Sequence, residues 1–246
     1  MAYRLFSYPT RYVADQFFAC SADAAVKRYG AKVGEDRSRC RLLNNAIDTK
    51  LFAYDQGTRD QIRDELCISH GALVVGHVGR FVAVKNHQFL IEVFEQIRKK
   101  HTDAKLLLIG DGELRTQIEA ELAERNLTDA AILAGIKTDV WNYYQAMDIF
   151  VFPSVFEGVP VSLAEAQTSG LPCCVSNGVP WDAAITDLVQ FRSLEDTPKQ
   201  WAQWVLERAS YPRRNMTEEM CQAGYDISTT SQWLQNFYLE VVRNRE

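Results

Sequence analysis

Nowhere in the 246 residues does an apolar run approach the roughly 20 residues that a membrane-crossing helix needs, and the stretch MAYRLFSYPTRYVADQ is too polar for the core of a signal peptide. A cytoplasmic protein is expected. Basic charge is not in excess either: 27 Lys and Arg stand against 32 Asp and Glu, for a net −5, and the two signs are mixed along the chain. That balance argues against nucleic acid as a partner, which would require a concentrated basic surface. Cations that bind phosphate, if present, must be few and placed. The six cysteines (Cys20, Cys40, Cys67, Cys173, Cys174, Cys221) form no C-x-x-C, and the four histidines form no H-x-x-x-H. Reduced thiols, no metal site and no cofactor are expected. Absent too are G-x-S-x-G, the G-x-x-x-x-G-K-[ST] phosphate loop and H-E-x-x-H, which removes those catalytic types.

What the chain does contain, from residue 73 onward, is a regular alternation of short β-branched runs with helical patterns. Strands are predicted over residues 73–78, 104–109, 130–133, 149–152, 173–176 and 188–191. Helices are predicted over 86–100, 113–125, 138–147 and 159–169. The first carries Phe89, Leu90, Val93, Phe94 and Ile97 on one stripe, Thr138 is a candidate cap for the third, and Gly170 is a candidate stop for the last. Such alternation predicts an α/β fold with a doubly wound, Rossmann-like parallel sheet. Residues 1–45 hold one further α/β unit: a strand at 16–20, a helix capped by Ser21 and ended by Gly30, and a strand at 39–43. That is too little for a domain. Helices at 197–210, with Trp201, Trp204 and Val205, and at 231–243, with Leu234, Phe237, Tyr238 and Val241, must lay their apolar faces on something.

Ligands of open parallel sheets bind beyond the carboxyl ends of the strands, so the loops there hold the candidate site. In Gly79-Arg80-Phe81-Val82-Ala83-Val84-Lys85-Asn86, Gly79 permits close approach of backbone, Arg80 offers a planar fork of donors, and Lys85 offers a mobile charge. A cation at a helix start opposes the macrodipole, which an anion lying between them would explain. In Pro153-Ser154-Val155-Phe156-Glu157-Gly158-Val159-Pro160, Glu157 can accept from sugar hydroxyls. Pro160 suits a first helical turn, and the N–H groups of Val161, Ser162 and Leu163 can face phosphate oxygens. Glu165, a turn further on, can take both hydroxyls of a ribose. Gly110-Asp111-Gly112 is either turn chemistry or the lining of a ligand crevice, and it lacks the full G-x-G-x-x-G of dehydrogenases. In Ala134-Gly135-Ile136-Lys137, backbone groups of Gly135 and Ile136 are candidates to read a base edge.

Taken together, Gly79-Arg80 with Lys85-Asn86, Ile109-Gly110-Asp111-Gly112, the run from Ala146 to Ser154, and Glu157-Gly158-Val159-Pro160 through Ser162-Leu163-Ala164-Glu165-Ala166 resemble glycosyltransferase family four. These are retaining enzymes of the GT-B type, with two Rossmann-like domains facing each other across a cleft. Asn44-Asn45-Ala46-Ile47-Asp48 is similar to the family's hinge phrase.

The resemblance implies that Arg80 and Lys85 bind the donor diphosphate in place of a metal ion, that Glu165 holds the ribose, and that Glu157 contacts the transferred sugar. Arg80, Lys85 and Glu157 are thus the expected catalytic residues. Gly79, Gly110, Gly135, Ile136, Gly158, Val161, Ser162, Leu163 and Glu165 complete the expected donor site. The implied substrate is a nucleotide-diphosphate sugar, UDP-linked by family habit with guanosine the alternative. The implied acceptor is a hydroxyl of a glycan or a lipid-linked sugar, in glycan, exopolysaccharide or glycolipid synthesis.

The expected organisation is a remnant of the acceptor domain at 1–45, a donor domain at 46–228, and a helix at 229–246 that crosses back to the acceptor domain. With only the last α/β unit of that domain seen, this chain alone is expected to bind nucleotide but to transfer little or no sugar. Peripheral contact with the inner membrane face would come through the missing domain. Two further readings are a non-catalytic sugar-nucleotide-binding subunit working with a separate acceptor chain and, less favoured, a GT-B sugar-nucleotide epimerase.

Overall fold

The computed structural model describes residues 12–243, which form two compact units: Asp48–Ala223, and the residues up to Ile47 together with those from Gly224 onward. The sequence places the larger unit at 46–228. The smaller unit reaches further into both borders because the Ile47 N–H donates to the Tyr225 carbonyl and Ile47 pairs with Asp226 as a parallel bridge.

In chain order the elements are β1 (Phe17–Ala19), α1 (Ala22–Tyr29), α2 (Ala31–Gly34), β2 (Cys40–Leu42), α3 (Gln56–Glu65), β3 (Val74–Val78), α4 (His87–Arg98), β4 (Lys105–Ile109) and α5 (Arg115–Glu124). There follow β5 (Ala131–Gly135), α6 (Val140–Ala146), β6 (Ile149–Phe152), α7 (Val161–Thr168), β7 (Cys173–Ser176), β8 (Val189–Arg192), α8 (Pro198–Ala209), α9 (Thr217–Gln222) and α10 (Ile227–Arg243).

The larger unit is built on six parallel strands in the order β5-β4-β3-β6-β7-β8, with Val75 opposite both Leu106 and Ile149. The chain starts in the middle, winds outward to β5, then returns to the other side of β3. The switch between β3 and β6 is where such sheets open a crevice. All four residues of β6 and of β7 are buried, the mark of strands covered on both faces. On one face α4 contributes Leu90, Val93, Phe94 and Ile97, and α8 contributes Trp201 and Val205, to a shared core with Leu106, Leu108 and Val151. Thr197 starts α8 in a capping box with Gln200. Gly170 ends α7 at φ 68°, a left-handed conformation that disfavours a side chain. Thr138 does not cap α6; Asp139 occupies the cap position without a side-chain bond.

The other face carries α3 packed on α6, and α3 is a helix that no apolar stripe announces. Its buried residues are Ile62 and Arg63, and its grip on the sheet is ionic. Arg63, 1% exposed, meets Asp148 at 2.7 Å and donates to the carbonyls of Ala146, His70 and Ala72. Arg59 pairs with the other oxygen of Asp148, and Asp148 also takes the Val74 N–H at 2.7 Å. Arg213 donates to the carbonyls of Met147 (2.7 Å) and Ser169 (2.8 Å). Three guanidinium groups thus occupy the carbonyl end of α6, where cations complement the helix dipole.

In the smaller unit β1 and β2 pair in parallel, and Ser21 caps α1 by accepting the Ala24 N–H at 3.1 Å. Phe17, Ala25, Val33 and Cys40 make its core. Helix α10 packs here through Phe237, 5.3 Å from Phe18 between ring centroids, with Arg41 over Trp233 and Phe237. None of its residues is buried, and Tyr238, Leu239 and Val242 are exposed. Among the described residues, no helix is long and apolar enough to cross a membrane, and no cluster of three or more His, Cys, Asp or Glu could hold a metal. All six cysteines are free thiols.

Candidate functional site

A cleft of about 750 Å³ lies over the carboxyl ends of β3, β4 and β5, and α7 contributes Glu165 to its lining. From the expected set it brings together Gly79, Arg80, Gly110, Ile136 and Glu165, and it adds Asp111, Gly112, Lys137 and Val140. The glycines let the first two loops interlock. Gly110 stands at φ 135°, and a Cβ there would lie 2.0 Å from the Gly79 carbonyl oxygen; one at Gly112 would lie 2.6 Å from that of Phe81. Both roles open in the sequence for Gly110-Asp111-Gly112 therefore apply: the phrase packs a loop and lines the cleft. Arg80 is exposed and forms no ion pair among the described residues. The Gly135 carbonyl accepts the Gly110 N–H at 2.9 Å and is occupied, whereas Ile136, 78% exposed, stands at the rim.

Lys85 and Glu157 do not line that cleft; they meet each other. Lys85 Nζ is 2.7 Å from Glu157 Oε1, both side chains are largely buried, and the ammonium sits 4.6 Å from the Phe152 ring centre. The anion that a cation at the start of α4 calls for is, in this structure, a carboxylate of the protein. Two backbone bonds hold the pair: Val155 N–H to the Val84 carbonyl (2.8 Å) and Glu157 N–H to the Gly178 carbonyl (3.1 Å).

Of the three N–H groups expected to face phosphate, that of Leu163 is spent within the first turn of α7, donating to the Pro160 carbonyl at 3.1 Å, which leaves Val161 and Ser162. Gly158 is exposed, and a side chain there would meet nothing within 4 Å.

Glu165 has a different partner. Its Oε2 lies 2.8 Å from the hydroxyl of Tyr144, a fully buried residue of α6 that the sequence reading passed over. Burial raises the carboxyl above its usual range, and the Tyr144 hydrogen bond works against that rise. Two histidines beneath the Arg80–Lys85 loop were also missed. His77 and His87 are buried with ring centres 4.9 Å apart. Burial holds His77 well below its ordinary pKa and, with Lys85 nearby, holds His87 at about 4. Both are neutral near pH 7. The only sequence signal for them was their apolar setting, in strand and helix stripe.

The sequence profile described as glycosyl transferases group 1 matches residues 58–204, more than half the chain and all the loops just described. The chain belongs to that family. It is 35% identical over 225 residues to EpsF of Bacillus subtilis, covering 89% of this chain and 58% of EpsF. It is 32% identical over 145 residues to the UDP-Gal:alpha-D-GlcNAc-diphosphoundecaprenol alpha-1,3-galactosyltransferase of Escherichia coli, covering 58% of this chain and 38% of that enzyme. The matched stretch thus spans little more than half of EpsF and well under half of the galactosyltransferase. In fold it is similar to Anabaena Alr3699/HepE, crystallised with UDP and glucose, at a TM-score of 0.74 and 16% identity, covering 96% of this chain and 66% of HepE. That likeness shows the α/β architecture of GT-B glycosyltransferases.

Proposed function

We propose that the larger unit binds the nucleotide-diphosphate sugar of a retaining glycosyltransferase acting in glycan, exopolysaccharide or glycolipid synthesis. The observation that carries this reading is the cleft at the switch region, where a guanidinium without an ion pair among the described residues, Arg80, and a half-buried carboxylate, Glu165, line one space beyond the strand ends. A nucleoside diphosphate has the complementary parts: phosphates for Arg80 and, beside it, Lys85, and ribose hydroxyls for Glu165. The base would lie toward Ile136 and Lys137. Glu157 would then receive hydroxyls of the transferred sugar.

Charge on the departing diphosphate is met by Arg80 and by Lys85 once it leaves Glu157, an electrostatic arrangement of the kind that dominates many catalysed steps. The acceptor oxygen attacks the anomeric carbon on the face from which the diphosphate leaves, and the leaving phosphate takes the acceptor's proton. UDP is the favoured nucleotide, since the Escherichia coli relative is named for a UDP-Gal donor and the Anabaena protein of like fold was crystallised with UDP. The acceptor is a glycan or lipid-linked sugar, reached at the cytoplasmic membrane face. We assign the smaller unit to the acceptor side of the GT-B fold and the donor to the larger unit.

Calorimetry of UDP, GDP and their sugars against the parent chain and an Arg80→Ala, Lys85→Ala variant tests the reading. Micromolar to millimolar binding by the parent and a loss of more than about tenfold in the variant is expected, since each charged contact to phosphate is worth about 1.5–3 kcal/mol. No binding by the parent, or equal binding by both, overturns it.

A further inference from the structure

Tyr144 is a polar group that the donor reading leaves unused. Its hydroxyl stands 2.8 Å from Glu165 Oε2 and 3.0 Å from the Ser162 carbonyl, at the start of α7. A phenol has one proton to donate. When Glu165 is ionised, the charged oxygen is the stronger acceptor and Tyr144 donates to it. When Glu165 is protonated, the carboxyl donates to Tyr144 Oη, and Tyr144 turns its own O–H to Ser162. In either state Oε2 is held, and Oε1 is the oxygen without a protein hydrogen bond among the described residues.

The phenol is itself immobile. Its ring packs on Phe52 and Phe150, and the carbonyls that follow it in α6 are gripped by Arg59, Arg63 and Arg213. Burial holds its pKa well above the ordinary value, so it stays a neutral donor and cannot serve as a base.

We propose that Tyr144 is a positioning residue that fixes one carboxylate oxygen of Glu165 so that the other meets the hydroxyls of a nucleotide ribose. The assignment rests on the donor reading above. Tyr144→Phe removes the hydroxyl and keeps the ring. Its test is calorimetry of UDP and GDP against their 2′,3′-dideoxy counterparts, on the parent chain and on Tyr144→Phe. The parent should favour the hydroxylated diphosphate. The variant should lose about tenfold in affinity for it, the scale of one hydrogen bond to a charged group, and keep its affinity for the dideoxy form.

A pH series adds a second readout. The charged groups that share the cleft with Glu165 are Arg80, Asp111 and Lys137, identical in both proteins. Without the hydroxyl that favours its ionised form, Glu165 takes up a proton sooner on acidification. Ribose-dependent affinity should therefore fall at a higher pH in the variant. A parent that binds neither diphosphate overturns the donor reading and this assignment with it. A parent that discriminates, beside a variant that discriminates equally or loses both ligand forms alike, overturns the Tyr144 assignment alone.

Discussion

Glu157 and Glu165 belong to one short phrase of sequence, yet the fold gives them opposite surroundings. Glu157 sits on a loop beside a cation, with its charge already answered by Lys85 at 2.7 Å. Glu165 sits on a helix beside a neutral phenol, half-buried, with its pKa raised by the loss of water and, among the described residues, its charge answered by no cation. A carboxylate of the first kind must exchange partners before it can serve a ligand. One of the second kind is already poised for hydroxyl donors, which carry no charge of their own. The difference teaches that residue type alone does not set a role in this cleft; the partner supplied by a neighbouring element does.

The largest expected effect breaks the Glu165 side through its scaffold. Arg63→Ala leaves Asp148 to Arg59 and the Val74 N–H alone, and takes the Arg63 donors from the carbonyls of His70 and Ala72 and from that of Ala146 at the end of α6, which carries Tyr144. Loss of one member of such a pair costs about 3–5 kcal/mol, to be seen as a lower midpoint in urea denaturation. Next in size is a pH effect beneath the Lys85–Glu157 side. Folded His87 takes its proton only near pH 4, whereas in the unfolded chain it does so near 6.5. Between those values the unfolded chain binds more protons, so stability is full above about pH 6.5 and is lost as the pH falls toward 4. The gap corresponds to about 3 kcal/mol, and buried His77 acts in the same direction. Denaturation at pH 7 and 4.5 should show a smaller acid loss in His87→Phe than in the parent; equal losses would remove the histidines from the account. Third, Glu165→Gln should weaken UDP by about tenfold or more, while its affinity for 2′,3′-dideoxy-UDP stays near that of the parent.

The six-stranded sheet was legible because parallel strands covered on both faces read as unbroken apolar runs, and β6 and β7 match their predicted bounds. Helix α3 was not, since it docks through Arg59 and Arg63 where an amphipathic helix would use leucines, and a reader of apolar periodicity sees only solvent-facing charge. Short α9, with Met220 its single buried residue, left the same blank. For the site, loop chemistry pointed to Arg80, Lys85, Glu157 and Glu165. What the string could not hold is who faces whom. Nothing in Tyr143-Tyr144 says which phenol turns toward α7, and nothing in the spacing of Lys85 and Glu157 says that they touch. Those facts arise from strand order, which brings β3 and β6 side by side.

The smallest expected effect is the sharpest test of the contrast, because its sign is unusual. On the donor reading, Glu157 competes with a donor phosphate for Lys85, and the Lys85–Glu157 pair is held largely out of water. Glu157→Gln keeps the size and the hydrogen-bonding oxygen but removes the charge, so Lys85 meets UDP without first leaving an anion. Desolvation of both groups offsets most of the attraction in so buried a pair, so the net competition is on the order of 1 kcal/mol and the expected gain about two- to fivefold in affinity for UDP. For a UDP-sugar the gain should shrink or reverse, since the variant offers the sugar hydroxyls one amide oxygen in place of a carboxylate. Calorimetry of both ligands on both proteins measures the two terms separately. Weaker UDP binding by Glu157→Gln would mean that Glu157 supports the phosphate site, and the distinction between a paired and a poised carboxylate would fall.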